Sequence, residues 1–143
     1  MSAIEKQAIE TYAEASAYLK TLERSLTKKS KFNNDLLYGI AAMTFEKLLV
    51  SLLASKKIEA LHHTPLALYK EASQKIDMPA DFKSTAQLLM KFESICSFDG
   101  FGYKTPTDDQ LRELIMGLMS ICNFVNDYQQ KSKAGWSESY LPK

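Results

Sequence analysis

The stretch Leu36–Ser55, LLYGIAAMTFEKLLVSLLAS, decides the fold. Leu36, Leu37, Ile40, Ala41, Met43, Leu48, Leu49, Leu52 and Leu53 recur at spacings of three and four, with Phe45 and Val50 between them. That period is helical, and the apolar set wraps most of the circumference. A helix apolar nearly all round has to be covered on several sides, so the stretch reads as the central rod of a bundle. At ~1.5 Å per residue it is roughly 30 Å long, the height of a small domain. Glu46 and Lys47 interrupt its middle and leave uncharged runs too short for a membrane crossing.

On either side the same period continues. Residues Ile4 to about Lys28 read as a first amphipathic helix, with Ile9, Tyr12, Ser16, Leu19, Leu22 or Glu23, and Leu26 on one stripe. Ser2 followed by Glu5 is a capping box at its start. Asn33 or Asn34 caps the central helix, and Asp35 suits its first turn. Thr64 before Pro65 starts a short third helix that runs to about Ile76. Asp81 caps a fourth helix, Phe82 to about Cys96. Thr107 to Gln110 is a second capping box, opening a long last helix from Asp108 to about Gln130. Its stripe runs through Leu111, Leu114, Ile115, Leu118, Ile121, Phe124 or Val125, and Tyr128.

With only 5 Gly and 4 Pro in 143 residues and no sustained β-branched alternation, the chain is expected to be all-α. The expected architecture is an antiparallel up-and-down bundle of about five helices over residues 1–130, followed by a polar tail, 131–143. A net charge of +1 supplies no general attraction to nucleic acid or membranes. Cys96 and Cys122 lack metal or redox spacing and read as buried free thiols. The start, MSAIEKQAIE, has no apolar signal core, which points to the cytoplasm.

Three places have chemical potential. Lys28, Lys29 and Lys31 form a basic cluster beside Phe32, either a phosphate-contacting patch with a stacking ring or a charge run at a helix end. His62 and His63 are adjacent, so their side chains diverge and do not make a helical metal pair; a hydrogen-bonding role at the helix start is the plainer reading. The stretch Ser97–Pro106, SFDGFGYKTP, sets Phe98, Phe101 and Tyr103 among glycines, as a ligand or partner loop or as plugs for one end of the bundle. The adjacent Asp108 and Asp109 suit a helix amino terminus and need no catalytic explanation.

The segment FEKLLVSLLASKKIEALHHTPLALYKEA resembles HEPN domains, a family of helical nucleotide-binding domains. Glu46, Lys47 and Leu48 match the family's glutamate-lysine-leucine run, His62 or His63 its histidine, and Tyr103 the tyrosine before its last long helix. The resemblance covers roughly Ile4 to Tyr128. It implies either a ribonuclease or a noncatalytic homodimeric companion of a nucleotidyltransferase. The arginine–histidine signature of the ribonucleases is missing, since neither Arg24 nor Arg112 has a histidine four to six residues downstream.

The expected function is therefore a noncatalytic homodimeric module, without metal or cofactor, that binds a nucleotide, an RNA end or a partner protein. Lys28, Lys29, Lys31, His63 and Tyr103 are its ligand-binding candidates. The alternative is a purely architectural assembly module with Phe101 and Leu118 at its interface. An enzyme built on Glu46, His62, His63 or the Asp108–Asp109 pair is the third reading.

Overall fold

The computed structural model describes residues 1–28, 32–93 and 105–136. Five helices and no strands occur among the described residues: α1 (Ala3–Thr27), α2 (Asn34–Ser55), α3 (Pro65–Ser73), α4 (Asp81–Glu93) and α5 (Asp108–Lys133). The chain is all-α, and α2 is its centre, packing against each of the other four. Two of the expected caps form in full. Ser2 and Glu5 exchange side-chain and backbone bonds at the start of α1, and Thr107 and Gln110 do so at the start of α5. Asn33 caps α2 by accepting from the Leu36 N–H. The α3 start differs, because Pro65 is in place but the Thr64 hydroxyl makes no cap bond. Asp81 is the first residue of α4 rather than a residue before it.

Cross-helix contacts fix the directions. The Ala8 carbonyl at the start of α1 meets Ser51 and Gln129, late in α2 and α5. Asn34, opening α2, donates to the Pro106 carbonyl and to Asp108 at the opening of α5. Phe82 packs edge-on against Phe124, while Tyr38 donates to the Leu89 carbonyl. Thus α1, α2, α4 and α5 alternate up and down, with α2 and α5 parallel and in contact at the middle. Helix α1 covers one side of that pair, and α4 with α3 covers the other.

The core is the leucine-rich face of α2 (Phe45, Leu48, Leu49, Leu52, Leu53) with Leu19 and Leu22, Leu68, Phe82 and Leu89, and Leu114, Ile115, Leu118, Ile121 and Val125 of α5. On α1 the buried line runs through Ala8, Ala15, Leu19 and Leu22. Ile9, Tyr12 and Ser16 sit at its edge, because alanines let α1 lie close on α2 and turn the bulkier residues aside. Helix α3 stops at Ser73, short of Ile76. Ile76 is nevertheless buried, its N–H bonded to the Ala72 carbonyl as the chain turns. Helix α5 runs past Gln130 to Lys133, where Lys131 and Lys133 meet unpaired terminal carbonyls. Beyond it the Trp136 indole N–H reaches the Ser55 carbonyl at 3.4 Å, so the first part of the expected tail docks on α2.

By length and composition α2 is apolar enough to cross a membrane, with a mean hydropathy of 1.6 over its best window. The two charges at its middle therefore do not by themselves exclude a crossing. Half of that window is buried by the protein's own helices, the pattern of a core helix. A polar knot also sits against it: Gln129 Nε2 donates to the Ala8 carbonyl (2.9 Å) and lies 3.2 Å from both Ser51 Oγ and Ser55 Oγ. Ser51 itself donates to Ala8 and Ser55 to the Ser51 carbonyl, so every partner is engaged.

At the far side, α4 and α5 touch at Gly117. A Cβ there would stand 2.3 Å from Thr85 Oγ1, and only glycine permits this approach. The connection from α2 to α3 turns at Lys57, whose φ of 64° is left-handed. Its ammonium lies 3.5 Å from the buried Glu5 carboxylate. Burial raises the Glu5 pKa, but the Ser2 hydrogen bonds and the Lys57 charge outweigh that and hold it below its usual range.

Candidate functional site

The carboxyl end of α1 and the amino ends of α2 and α5 meet at one end of the bundle. Lys28 follows the last turn of α1, with its N–H on the Arg24 carbonyl. Phe32 and Asn33 lead into α2, and Arg112 projects from the second turn of α5. A cleft of about 430 Å³ opens between them, lined by Lys28, Phe32, Asn34, Asp108, Leu111 and Arg112 among others. Lys28 and Arg112 are exposed, and neither makes an ion pair among the described residues. Asp108, the acid in the lining, is turned toward Asn34, which donates to it at 2.8 Å.

Two helix amino termini at one end add partial positive charge, although the caps use part of their N–H capacity. Asp35, Asp108 and Asp109 in the same turns offset some of it. What the cleft offers a phosphate is thus two exposed cations beside a ring, at a junction of helix ends. Lys29, Lys31, Phe101 and Tyr103 lie outside the described residues, as does Cys96.

His63 is not part of this cleft. Its Nδ1 lies 2.9 Å from Glu46 Oε2, midway along α2 and roughly 18 Å from the Asn34 end at ~1.5 Å per residue. Lys28 and His63 therefore lie at different places on the bundle. The α2–α3 connection carries His63 down the flank of α2, a path that local sequence does not encode.

His62 turns the other way, to Glu71 of α3 at 2.9 Å. The same carboxylate accepts the N–H groups of Leu61 and His62. Burial raises the Glu71 pKa, but the His62 side chain and these two backbone donors bring it below the usual range. The two histidines pin one connector to two helices. Each has a carboxylate within hydrogen-bond reach, as an acid-base pair requires, but both rings are more than half exposed. Among the described residues no three His, Cys, Asp or Glu side chains gather where a metal could sit.

Leu118 is fully buried inside the protomer, so it presents nothing to a partner. Its stripe on α5 faces α2 and α4, and the exposed residue of that neighbourhood is Met116, at 53%. Cys122 is buried with its thiol 3.6 Å from the Tyr12 hydroxyl. Burial, followed by that contact, pushes Tyr12 up to about 12, so the phenol stays protonated.

Comparison with protein-family models, with curated proteins and with solved structures gives no match. The residues themselves must carry the functional reading. The one that sequence reasoning missed is Arg112. Its signal was present in outline, an arginine one turn into a capped helix, but its nearness to Lys28 follows only from the parallel pairing of α2 and α5.

Proposed function

We propose that this chain is a noncatalytic, cytoplasmic HEPN-like module that homodimerises and takes a phosphate-bearing end, of a nucleotide or an RNA, into the cleft at the α1–α2–α5 junction. The observation that supports it is the cleft of about 430 Å³ in which Lys28, Arg112 and Phe32 meet. Arginine and lysine together suit a terminal phosphate, the first by planar paired donors and the second as a compact charge. Phe32, in the same lining, offers a ring for stacking an adjoining base. Lys29 and Lys31 belong to the same basic run in the sequence and extend the proposal.

The test is light scattering after size-exclusion chromatography, with fluorescence titration of a nucleotide and short 5′-phosphorylated RNA panel. A dimer that binds one panel member, with binding at least tenfold weaker in Lys28→Ala/Arg112→Ala and a flatter salt dependence, supports the reading. Unchanged affinity and salt slope in that variant refute the cleft. A dimer that binds nothing favours the architectural alternative. Its supporting observation is the recess of about 490 Å³ between α4 and α5, where Met116 is exposed beside Phe82 and Phe124.

A further inference from the structure

A second groove, of about 600 Å³, runs between α1 and α5 on the flank of the bundle. Its α1 wall extends from Ile9 to Arg24, roughly 22 Å at ~1.5 Å per residue. Lys20, Arg24 and Lys133 stand along it, and the lining holds no carboxylate. None of the three cations makes an ion pair among the described residues. Of the acids of α1, Glu10 pairs with Lys6 and Glu14 with Lys47 of α2, while Glu23 and, on α5, Asp127 act on Cys122 and Tyr12 and temper the positive charge of the groove without cancelling its three cations.

Between the cations the α1 wall is low. Ala13 and Ala17 are exposed there, a turn apart, and leave a trough into which another helix can press closely. Gln129 lines the groove although it is only 2% exposed. Its hydrogen bonds are all donated by Nε2 into the core. Its amide oxygen is the acceptor that remains for an occupant.

We propose that this groove docks an acidic amphipathic helix of a partner protein. Lys20 and Arg24 lie one turn apart, the spacing of carboxylates at i and i+4 on a docked helix. The small residues Ala13 and Ala17, which precede Lys20 on the same wall, match an apolar ridge rather than a stacked base. A single strand of nucleic acid fits less well. Three cations over this length under-supply its phosphates, and Tyr12, the aromatic in the lining, has its hydroxyl held at Cys122.

The experiment is display selection on the full chain, from a library of 18-residue helical peptides with varied acidic and apolar positions. A 5′-phosphorylated single-stranded RNA is titrated in parallel. Selected peptides are expected to carry acids at i and i+4. They should lose at least tenfold in affinity to Lys20→Glu/Arg24→Glu, and equally to Ala17→Trp, which fills the trough at an exposed helical position. Arg112→Glu, at the junction cleft, should leave peptide binding unchanged. No enrichment over background, or enrichment that survives Ala17→Trp, overturns the proposal. RNA binding abolished by Ala17→Trp also overturns it, making the groove a nucleic-acid site. Circular dichroism of each variant confirms that lost binding is not lost fold.

Discussion

Replacing Gly117 by alanine tests the α4–α5 contact directly. In an exposed helix the change stabilises by about 1 kcal/mol, since alanine loses less backbone freedom on folding. Here the new Cβ would lie 2.3 Å from Thr85 Oγ1, 3.2 Å from its Cγ2 and 3.3 Å from its Cβ. Rotating Thr85 relieves the shortest contact but leaves its β-carbon in place, so the helices must part slightly. Overpacking of this kind costs about 1–3 kcal/mol. The expected net effect is therefore between zero and ~2 kcal/mol of destabilisation, opposite in sign to the propensity gain.

Thr85→Ala removes the two closest atoms, and in that background Gly117→Ala should be neutral or stabilising by up to ~1 kcal/mol. The double-mutant cycle should give a favourable coupling of about 1–2 kcal/mol. Urea unfolding of the four proteins, followed at 222 nm, measures it. A Gly117→Ala chain more stable than wild type by about 1 kcal/mol, or a coupling near zero, would refute the close approach of α4 and α5.

Gln129→Leu keeps the side-chain volume but withdraws the donor shared by the Ala8 carbonyl and the Ser51 and Ser55 hydroxyls. A loss of about 2–3 kcal/mol in urea melts is expected, and a loss below ~0.5 kcal/mol would mean that the network is not closed in solution. Glu71 has a folded pKa below its usual value of 4.5. Its contribution is thus present above pH 4.5 and lost as pH falls through the lower folded value. Thermal melts between pH 6 and 3 should show a shallower acid loss in Glu71→Gln than in wild type. Parallel curves would contradict the clasp on Leu61 and His62.

Helix starts were more legible than helix ends, because the capping signals are local, whereas α3 stops short of Ile76 and α5 runs past Gln130. A serine with glutamate three residues on, or a threonine with glutamine three residues on, satisfies its own N–H groups whatever lies around it. The central position of α2 was legible too, since a rod apolar on most sides has nowhere else to go. What periodicity does not carry is direction around the bundle. The stripe containing Leu118 was visible, yet only packing shows that it faces α2 and α4 rather than a partner. Ala8 and Ala15 escaped notice because small residues contribute little hydropathy, and Gln129 because a buried amide looks polar in sequence. The site was least legible. Lys28 stood out and Arg112 did not, and the separation of His63 from Lys28 was not readable, because helix order does not give the distances between loops.

The exposed-then-covered history of α2 has a consequence for synthesis. Roughly 80 residues separate Ser55 from the end of α5, about 4–16 s of elongation at ~5–20 residues per second. During that interval α1 shields one flank, while the side later closed by α3, α4 and α5 is bare. A nascent chain then shows the ribosome's surroundings a 22-residue segment with the hydropathy of a membrane helix. Pairing with α5 is thus a late step, and it is the one that withdraws this face of α2 from water.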